Sequence, residues 1–477
     1  MVDKSSGTLV MKFGGTSVGS AQAMAQAVKI IKDARAEWGR VVVVTSAIAG
    51  ATNALLESAI SSAKGDMQPL LKAEKNLIAD HNRIADALIS DPLRRENVKN
   101  ETARLVASFS DLCRAISVIG EASPRALDTV ASMGERLSVR LLAAVCLENG
   151  LEAQFVESTR LVVTNSHFQN AHPDFEKTTR ATHAVLGPLL SAGVVPVVTG
   201  FIGATPDGVI TTIGRGGSDY SAAILGAVLP ADDVWIWTDV DGVMTADPRI
   251  VPGALTIPEI SYGEIAELSY YGAKVLHPKA VRPVIEAGIG LRICNTFNPT
   301  NPGTRLVANI KNGKAPNKEK VIKAVSAINN QRLVTIEGRG MLGVPGVAAR
   351  AFAAVASTGT SVPLITQASS EQSICFAVPG EAAESVQAAL QKVFSEELAN
   401  RDIDRVWYSD LVSILTMVGA GTYNTPGVAG LIFSKLGQSE INVLAIAQGS
   451  SQVSVCIVVD SADSEKAVKA LHEMIVK

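Results

Sequence analysis

A lysine and two glycines, in Lys12-Phe13-Gly14-Gly15-Thr16-Ser17, close a β-branched run near the start of the chain. Glycines let a backbone approach a phosphate closely, and the lysine adds a mobile positive charge. GxxxxGK[ST] is absent, so this is not a P-loop, and a tight turn is the alternative reading. A second cluster, 214–221 (GRGGSDYS), opens a helical run to about Leu229. Glycines ahead of a helix leave free N–H groups aimed at an anion, and the helix dipole adds to the attraction. Ser218 suits a helix cap there and Asp219 a first turn. Arg215 has no such structural use in a glycine-rich loop, and a bidentate contact with a carboxylate fits it. A dinucleotide fingerprint fails on spacing and on the missing ribose-binding acid.

Two further clusters follow. The segment 238–249 (TDVDGVMTADPR) places an acidic turn after an apolar run. DxDG resembles part of a calcium loop, but the EF-hand pattern is not completed. In 272–278 (GAKVLHP), Lys274 is the group able to do chemistry. A solvated surface lysine is its alternative, and His277 before a proline reads as structural.

The elements that must position these clusters alternate. Residues 8–13, 40–45, 194–199 and 233–238 are short apolar runs, and a helical stretch spans about Ser20 to Trp38. Continuous apolar strands alternating with helices imply an α/β fold, a mainly parallel sheet sandwiched by helices. Between about Ala54 and Asn149 helical periodicity takes over. Ser123, Pro124 and Gly150 bracket the last of these helices as cap, first-turn proline and stop.

With 477 residues, two to four domains are expected. The net charge of −3 with dispersed lysines and arginines excludes a nucleic-acid footprint. Cys113, Cys146, Cys294, Cys375 and Cys456 are far apart and show no metal-ligand spacing. Free thiols in a reducing compartment are expected. No signal-peptide pattern opens the sequence and no apolar run reaches membrane-spanning length, so a cytoplasmic location without a membrane is the expectation.

The polar stretch 311–320 (KNGKAPNKEK) reads as a linker. Beyond it lies a repeat: the thirty-odd residues from Gly346 align without gaps on those from Gly427. The shift, 427 − 346 = 81, also carries Gln367 onto Gln448 and Cys375 onto Cys456. Each copy reads as strand, glycine-rich turn, helix, strand, turn, strand, so two similar α+β modules are expected to pack together.

Taken in order, KFGGTS, VTSAIAGATN, SMGERLS, GFIGATPDG, GRGGSDYSA, WTDVDGVMTADPR and AKVLHP resemble the aspartate kinase branch of the amino acid kinase family. The resemblance covers essentially residues 8–477, and the two repeats resemble ferredoxin-like ACT modules. It implies a catalytic domain over 1–310 with its helical segment at 54–149, the linker at 311–320, and ACT modules over 321–400 and 401–477. The implied activity is ATP-dependent phosphorylation of the L-aspartate side chain to 4-phospho-L-aspartate, toward lysine, threonine and methionine. Lys12, Gly14 and Gly15 would hold the ATP phosphates. Ser46, Thr52, Glu135, Arg215 and Ser218 would line the aspartate site, with Arg215 on the α-carboxylate and Glu135 on the ammonium group. Asp219 would position the lysines rather than act as a base. Thr238, Asp239, Met244, Arg249, Lys274 and Val275 would surround the nucleotide, Met244 standing where the family usually has tyrosine. Mg²⁺ would be held mostly by nucleotide oxygens and water, with no protein ligand assigned.

In the tail, the resemblance implies an effector amino acid bound near Gln367 and Gln448, since a primary amide both donates and accepts. The local sequences resemble the tails of threonine-sensing kinases fused to homoserine dehydrogenase. Pro363 stands where lysine-sensing relatives tend to carry aspartate, so threonine is the first expectation and lysine the second. A homodimer or dimer of dimers, formed by pairing of ACT edges, is also implied. The rival readings are a kinase for glutamate, acetylglutamate or a nucleoside monophosphate, and a non-catalytic amino-acid sensor.

Overall fold

The structure is a computed structural model, and it describes residues 4–272, 276–307, 321–341, 344–367, 372–422, 425–448 and 453–476. The chain divides into two compact units. One comprises Met1–Val243, Thr256–Tyr262 and Val275–Asn309; the other comprises Met244–Leu255, Gly263–Lys274 and Ile310–Lys477. The linker expected at 311–320 lies outside the described residues.

The first unit is built on ten strands: β1 (Thr8–Phe13), β2 (Arg40–Thr45), β3 (Ala153–Val156), β4 (Val195–Thr199), β5 (Ile202–Ala204), β6 (Ile210–Thr212), β7 (Asp233–Thr238), β8 (Glu259–Ser261), β9 (Gly290–Asn295) and β10 (Thr304–Val307). Eight of them form one sheet in the order β3-β4-β2-β1-β7-β9-β10-β8, parallel throughout except between β9 and β10. All six residues of β1 are buried, as a strand covered on both faces requires. The helix Ala21–Glu37, capped by Ser20 on Ala23 N, lays Met24, Ala27, Val28, Ile30 and Ile31 against that sheet. β5 and β6 form a separate hairpin beside it.

Four helices, Ala51–Ser62, Gln68–Leu88, Pro92–Ile119 and Pro124–Glu148, fill the insertion between β2 and β3. Ser123 caps the last one through Ala126 N, Pro124 occupies its first turn, and Gly150 follows it at φ 77°. That helix must reach β4 and the four-helix core at once, so both its faces are apolar.

In the second unit, β11 (Ala324–Glu337), β12 (Leu364–Gln367), β13 (Ser373–Pro379), β14 (Arg405–Val418), β15 (Ala445–Ala447) and β16 (Ser454–Asp460) form one sheet ordered β12-β13-β11-β14-β16-β15. The sequence repeat becomes a repeat in register: Thr335 pairs with Cys375, and Thr416 with Cys456. β11 and β14 are each long enough to serve both copies. The first half of β11 lies against Ile414–Val418, its second half against Arg405–Val412, with shifts in register between Ile328 and Gln331 and between Arg332 and Val334. Helices Val347–Ser357, Ala383–Val393, Val428–Gln438 and Ser464–Val476 supply the apolar cover. No helix among the described residues is long and apolar enough to cross a membrane.

Glu264 is fully buried in this unit, where it meets Lys323 at 3.1 Å and accepts from Ala420 N at 2.7 Å. Removing one partner from a buried pair leaves the other charge unsatisfied. Glu264→Ala is therefore expected to cost about 3 kcal/mol of stability, read as a fall in the unfolding midpoint of this unit. A midpoint equal to wild type would contradict that.

Candidate active site

β1 is where the sheet reverses direction of growth: β2, β4 and β3 extend to one side, β7 and β9 to the other. In open parallel sheets a ligand crevice forms outside the carboxyl ends of strands at such a point. A cavity of ≈ 520 Å³ lies there, lined by Lys12, Ser46, Thr52, Asp128, Glu135, Phe201, Arg215, Ser218 and Asp219 among others. Seven of the residues singled out from the sequence (Lys12, Ser46, Thr52, Glu135, Arg215, Ser218 and Asp219) thus meet in one cavity.

Lys12 is 8% exposed and its Nζ lies 2.6 Å from Asp219 Oδ1. The contact is an ion pair without a well-directed hydrogen bond at that oxygen. It ties β1 to the first turn of the helix Gly217–Val228. The turn ahead of that helix needs its glycines. Gly214 and Gly216 have φ of 84° and 66°, and a Cβ on Gly216 would sit 2.5 Å from His277 Cβ. Gly216, not Ser218, is the N-cap, so the Ser218 hydroxyl is not spent on capping. Arg215 is exposed, with no carboxylate in ion-pair range among the described residues. Gly15 is equally constrained, since a Cβ there would lie 2.7 Å from Ala47 O. Gly14 donates its N–H to Trp237 O, which fastens the turn to the end of β7. Phe13 and Trp237 stack behind it, with ring centroids 6.1 Å apart.

Glu135, on the helix Pro124–Glu148, also lines this cavity. One carboxylate oxygen accepts from Ala47 N at 3.3 Å, and the other has no partner among the described residues. Burial pushes its carboxyl up to about 8, with the Ala47 bond pulling weakly the other way. An orphaned oxygen on a sealed carboxyl group suits a ligand ammonium, which would both pair it and ionise it.

Asp128, Phe201 and Gln169 are among the cavity residues not anticipated from the sequence. Asp128, one per cent exposed, accepts from Gln169 N and from both Thr212 N and Thr212 Oγ1. Burial raises its carboxyl above the usual range, opposed by those bonds. Phe201 and Gln169 both adopt φ 67°, which only the surrounding contacts make tolerable for side chains of that size. The one sequence signal for Asp128 was its place seven residues before Glu135, on the same helical face.

The residues expected around a nucleotide are more dispersed. Thr238 and Asp239 sit at the carboxyl end of β7, next to β1, with Thr238 Oγ1 donating to Asp239. Met244 and Arg249 belong to the second unit, where the exposed Arg249 is held by Asp247. Lys274 and Val275 lie outside the described residues. His277 caps the helix Pro278–Glu286 through Lys279 N. Burial chiefly, then Lys279 and Arg215, push its pKa below the ordinary histidine value, against Asp219. Gln367 and Gln448 are exposed at matching ends of the two edge strands β12 and β15.

Comparison with known proteins identifies the family. Residues 7–295 match the amino acid kinase family, and residues 334–394 and 415–475 each match an ACT domain. The bifunctional aspartokinase/homoserine dehydrogenase 2, chloroplastic, of Arabidopsis thaliana is 37% identical over 467 residues, covering 97% of this chain and 50% of that protein. The chain therefore spans about half the length of such bifunctional relatives. The aspartokinase of Schizosaccharomyces pombe is 32% identical over 509 residues, covering 99% of this chain and 93% of that protein. Among solved structures, E. coli aspartokinase III in complex with aspartate and ADP (R-state) matches with a TM-score of 0.79 at 31% identity, over 98% of this chain and all of that one. The same enzyme with lysine and aspartate (T-state) matches with a TM-score of 0.80 at 30% identity over 98% of this chain and all of that one.

The raised Glu135 carboxyl makes a testable claim about the ligand-free protein. The folded state holds this proton up to about pH 8, whereas the unfolded chain releases it near 4.5. Between those values the folded state binds more protons, so its stability falls as pH rises. Wild type is expected to lose unfolding midpoint relative to Glu135→Gln as pH rises from 4.5 to 8. Parallel midpoints across that window would contradict it.

Proposed function

Because the chain belongs to the amino acid kinase family and carries two ACT domains, we propose that it transfers the γ-phosphoryl group of ATP to the side-chain carboxylate of L-aspartate. The observation that carries this reading is that Glu135, one oxygen of which has no partner among the described residues, lines one cavity together with Lys12 and Arg215. An α-amino acid with a second carboxylate complements that set of groups.

In this reading Glu135 takes the substrate ammonium and Arg215 its α-carboxylate, while Ser46, Thr52 and Ser218 add hydroxyl contacts. The side-chain carboxylate has an ordinary pKa near 4, so it is ionised at neutral pH and needs no general base. One of its oxygens bonds to the γ-phosphorus as the bond to the leaving ADP oxygen breaks. The products are 4-phospho-L-aspartate, an acyl phosphate and the first intermediate toward lysine, threonine and methionine, and ADP. Charge builds on the oxygens in flight, and Lys12 meets it, with Asp219 holding the ammonium group in place between turnovers. Gly14 and Gly15 admit the phosphates, and Thr238 and Asp239, at the end of β7, border the nucleotide. Among the described residues no group of three histidine, cysteine or acidic side chains could hold a metal ion. Mg²⁺ would enter as the companion of ATP, held mostly by nucleotide oxygens and water, and no step is assigned to it.

The ACT domains make the enzyme responsive to a small amino acid, with Gln367 and Gln448 as its contacts. Threonine is the first choice of effector because Pro363 supplies no anion for a lysine side chain; lysine, which E. coli aspartokinase III binds, is the second. Self-association into a homodimer or a dimer of dimers, and a cytoplasmic location, complete the proposal.

The test is ADP release with L-aspartate, L-glutamate, N-acetyl-L-glutamate or no acceptor. Turnover is expected with L-aspartate alone, and Lys12→Ala should lower kcat by about a thousandfold with little change in the KM for L-aspartate. Turnover that ignores the acceptor, or a Lys12→Ala protein as fast as wild type, would overturn the assignment.

A further inference from the structure

A carboxylate that is almost fully buried and has no cation within ion-pair range normally costs a fold stability. Asp128 is such a group, and the described residues offer it hydrogen-bond donors but no lysine or arginine. What a carboxylate can do here, and an apolar side chain or an amide cannot, is accept at every lone pair simultaneously. Its two oxygens share Gln169 N at 3.0 and 2.9 Å, and they take Thr212 N at 2.8 Å and Thr212 Oγ1 at 2.7 Å.

Those donors belong to two segments that reach the cavity separately. Thr212 ends β6, three residues before Arg215, and its own carbonyl accepts from Ala171 N. Gln169, at φ 67°, sits in the loop whose Asn170 presses on Gly214: a Cβ there would lie 2.8 Å from Asn170 Oδ1. Lys279 Nζ donates to that same Asn170 oxygen. Both segments therefore bear on the turn that presents Arg215. Asp128 itself is on the helix Pro124–Glu148, two turns and about 10 Å before Glu135.

We propose that Asp128 is a positioning residue: it braces the Thr212 and Gln169 segments against the helix carrying Glu135, and so sets the distance between the two groups that read the substrate's ammonium and α-carboxylate. This inference rests on the acceptor proposed above. An α-amino acid holds its two charged groups at a fixed, short separation, so a small error in the Arg215–Glu135 distance weakens one contact or the other. The reacting carboxylate and the phosphates lie toward Lys12, on a strand the brace does not touch.

The test is Asp128→Asn, which keeps the shape but sets an N–H₂ group against backbone donors. The KM for L-aspartate is expected to rise at least about tenfold, with kcat and the KM for ATP within about threefold of wild type. Because the brace acts through Arg215, adding Asp128→Asn to Arg215→Ala should raise that KM by less than about twofold more. Additive effects, or a loss confined to kcat or to the unfolding midpoint, overturn the proposal. Should Asp128→Asn fail to fold, Thr212→Val removes only the hydroxyl donor. It should raise the KM for L-aspartate by about threefold, and an unchanged value overturns the proposal. If wild type shows no aspartate-dependent turnover, the proposed function fails, and amide exchange decides the brace by itself. Faster exchange at Gln169 and Thr212 in Asp128→Asn supports it, and unchanged exchange overturns it.

Discussion

The structure turns on a carboxyl group buried beside the carboxyl ends of parallel strands, with one oxygen that has no partner among the described residues. Glu135 cannot ionise cheaply in that place, and burial lifts it to about 8. A protein that keeps such a group must either leave it neutral or supply it with a cation from outside. The same cavity is lined by Lys12, held by Asp219, and by Arg215, which has no carboxylate in ion-pair range among the described residues.

The turns that carry Lys12 and Arg215 have their own constraint, which is steric. A lysine at the end of a central strand can meet a phosphate only if the following turn stays thin. Gly15 lies too close to Ala47 O for any side chain, and Gly216 too close to His277. The same compactness brings Asp219, on the first turn of the next helix, to within 2.6 Å of Lys12. The charge is therefore stored in a pair that a more negative phosphate group can outcompete. Across the cavity, the paired strands and the helix from Pro124 to Glu148 supply rigidity, because each is packed on both faces.

Much of this was legible in the sequence because it depends on local chemistry. Buried parallel strands must be apolar throughout, so β1, β2, β4 and β7 announce themselves, and Ser123, Pro124 and Gly150 mark a helix by capping rules alone. Lys12 and Arg215 stood out because glycines surround them. What stayed hidden depends on distant partners. The role of Asp128 exists only because Thr212, eighty-four residues later, folds onto it. Phe201 at positive φ breaks a local preference that the surrounding contacts override. The three-residue β8 and the antiparallel β10 are too short to show a period. In the tail, the repeat was plain, but the sharing of β11 and β14 between both copies was not, since a single strand's sequence does not tell how many neighbours it serves.

In the proposed reading Glu135 is protonated in the ligand-free protein and is ionised by the ammonium group of L-aspartate. Calorimetry of L-aspartate binding at pH 7, repeated in buffers of different ionisation enthalpy, measures that proton directly. With a carboxyl raised to about 8, release of most of one proton per site is expected. Heats that do not vary with the buffer would mean that the proton was never there, and would contradict the account.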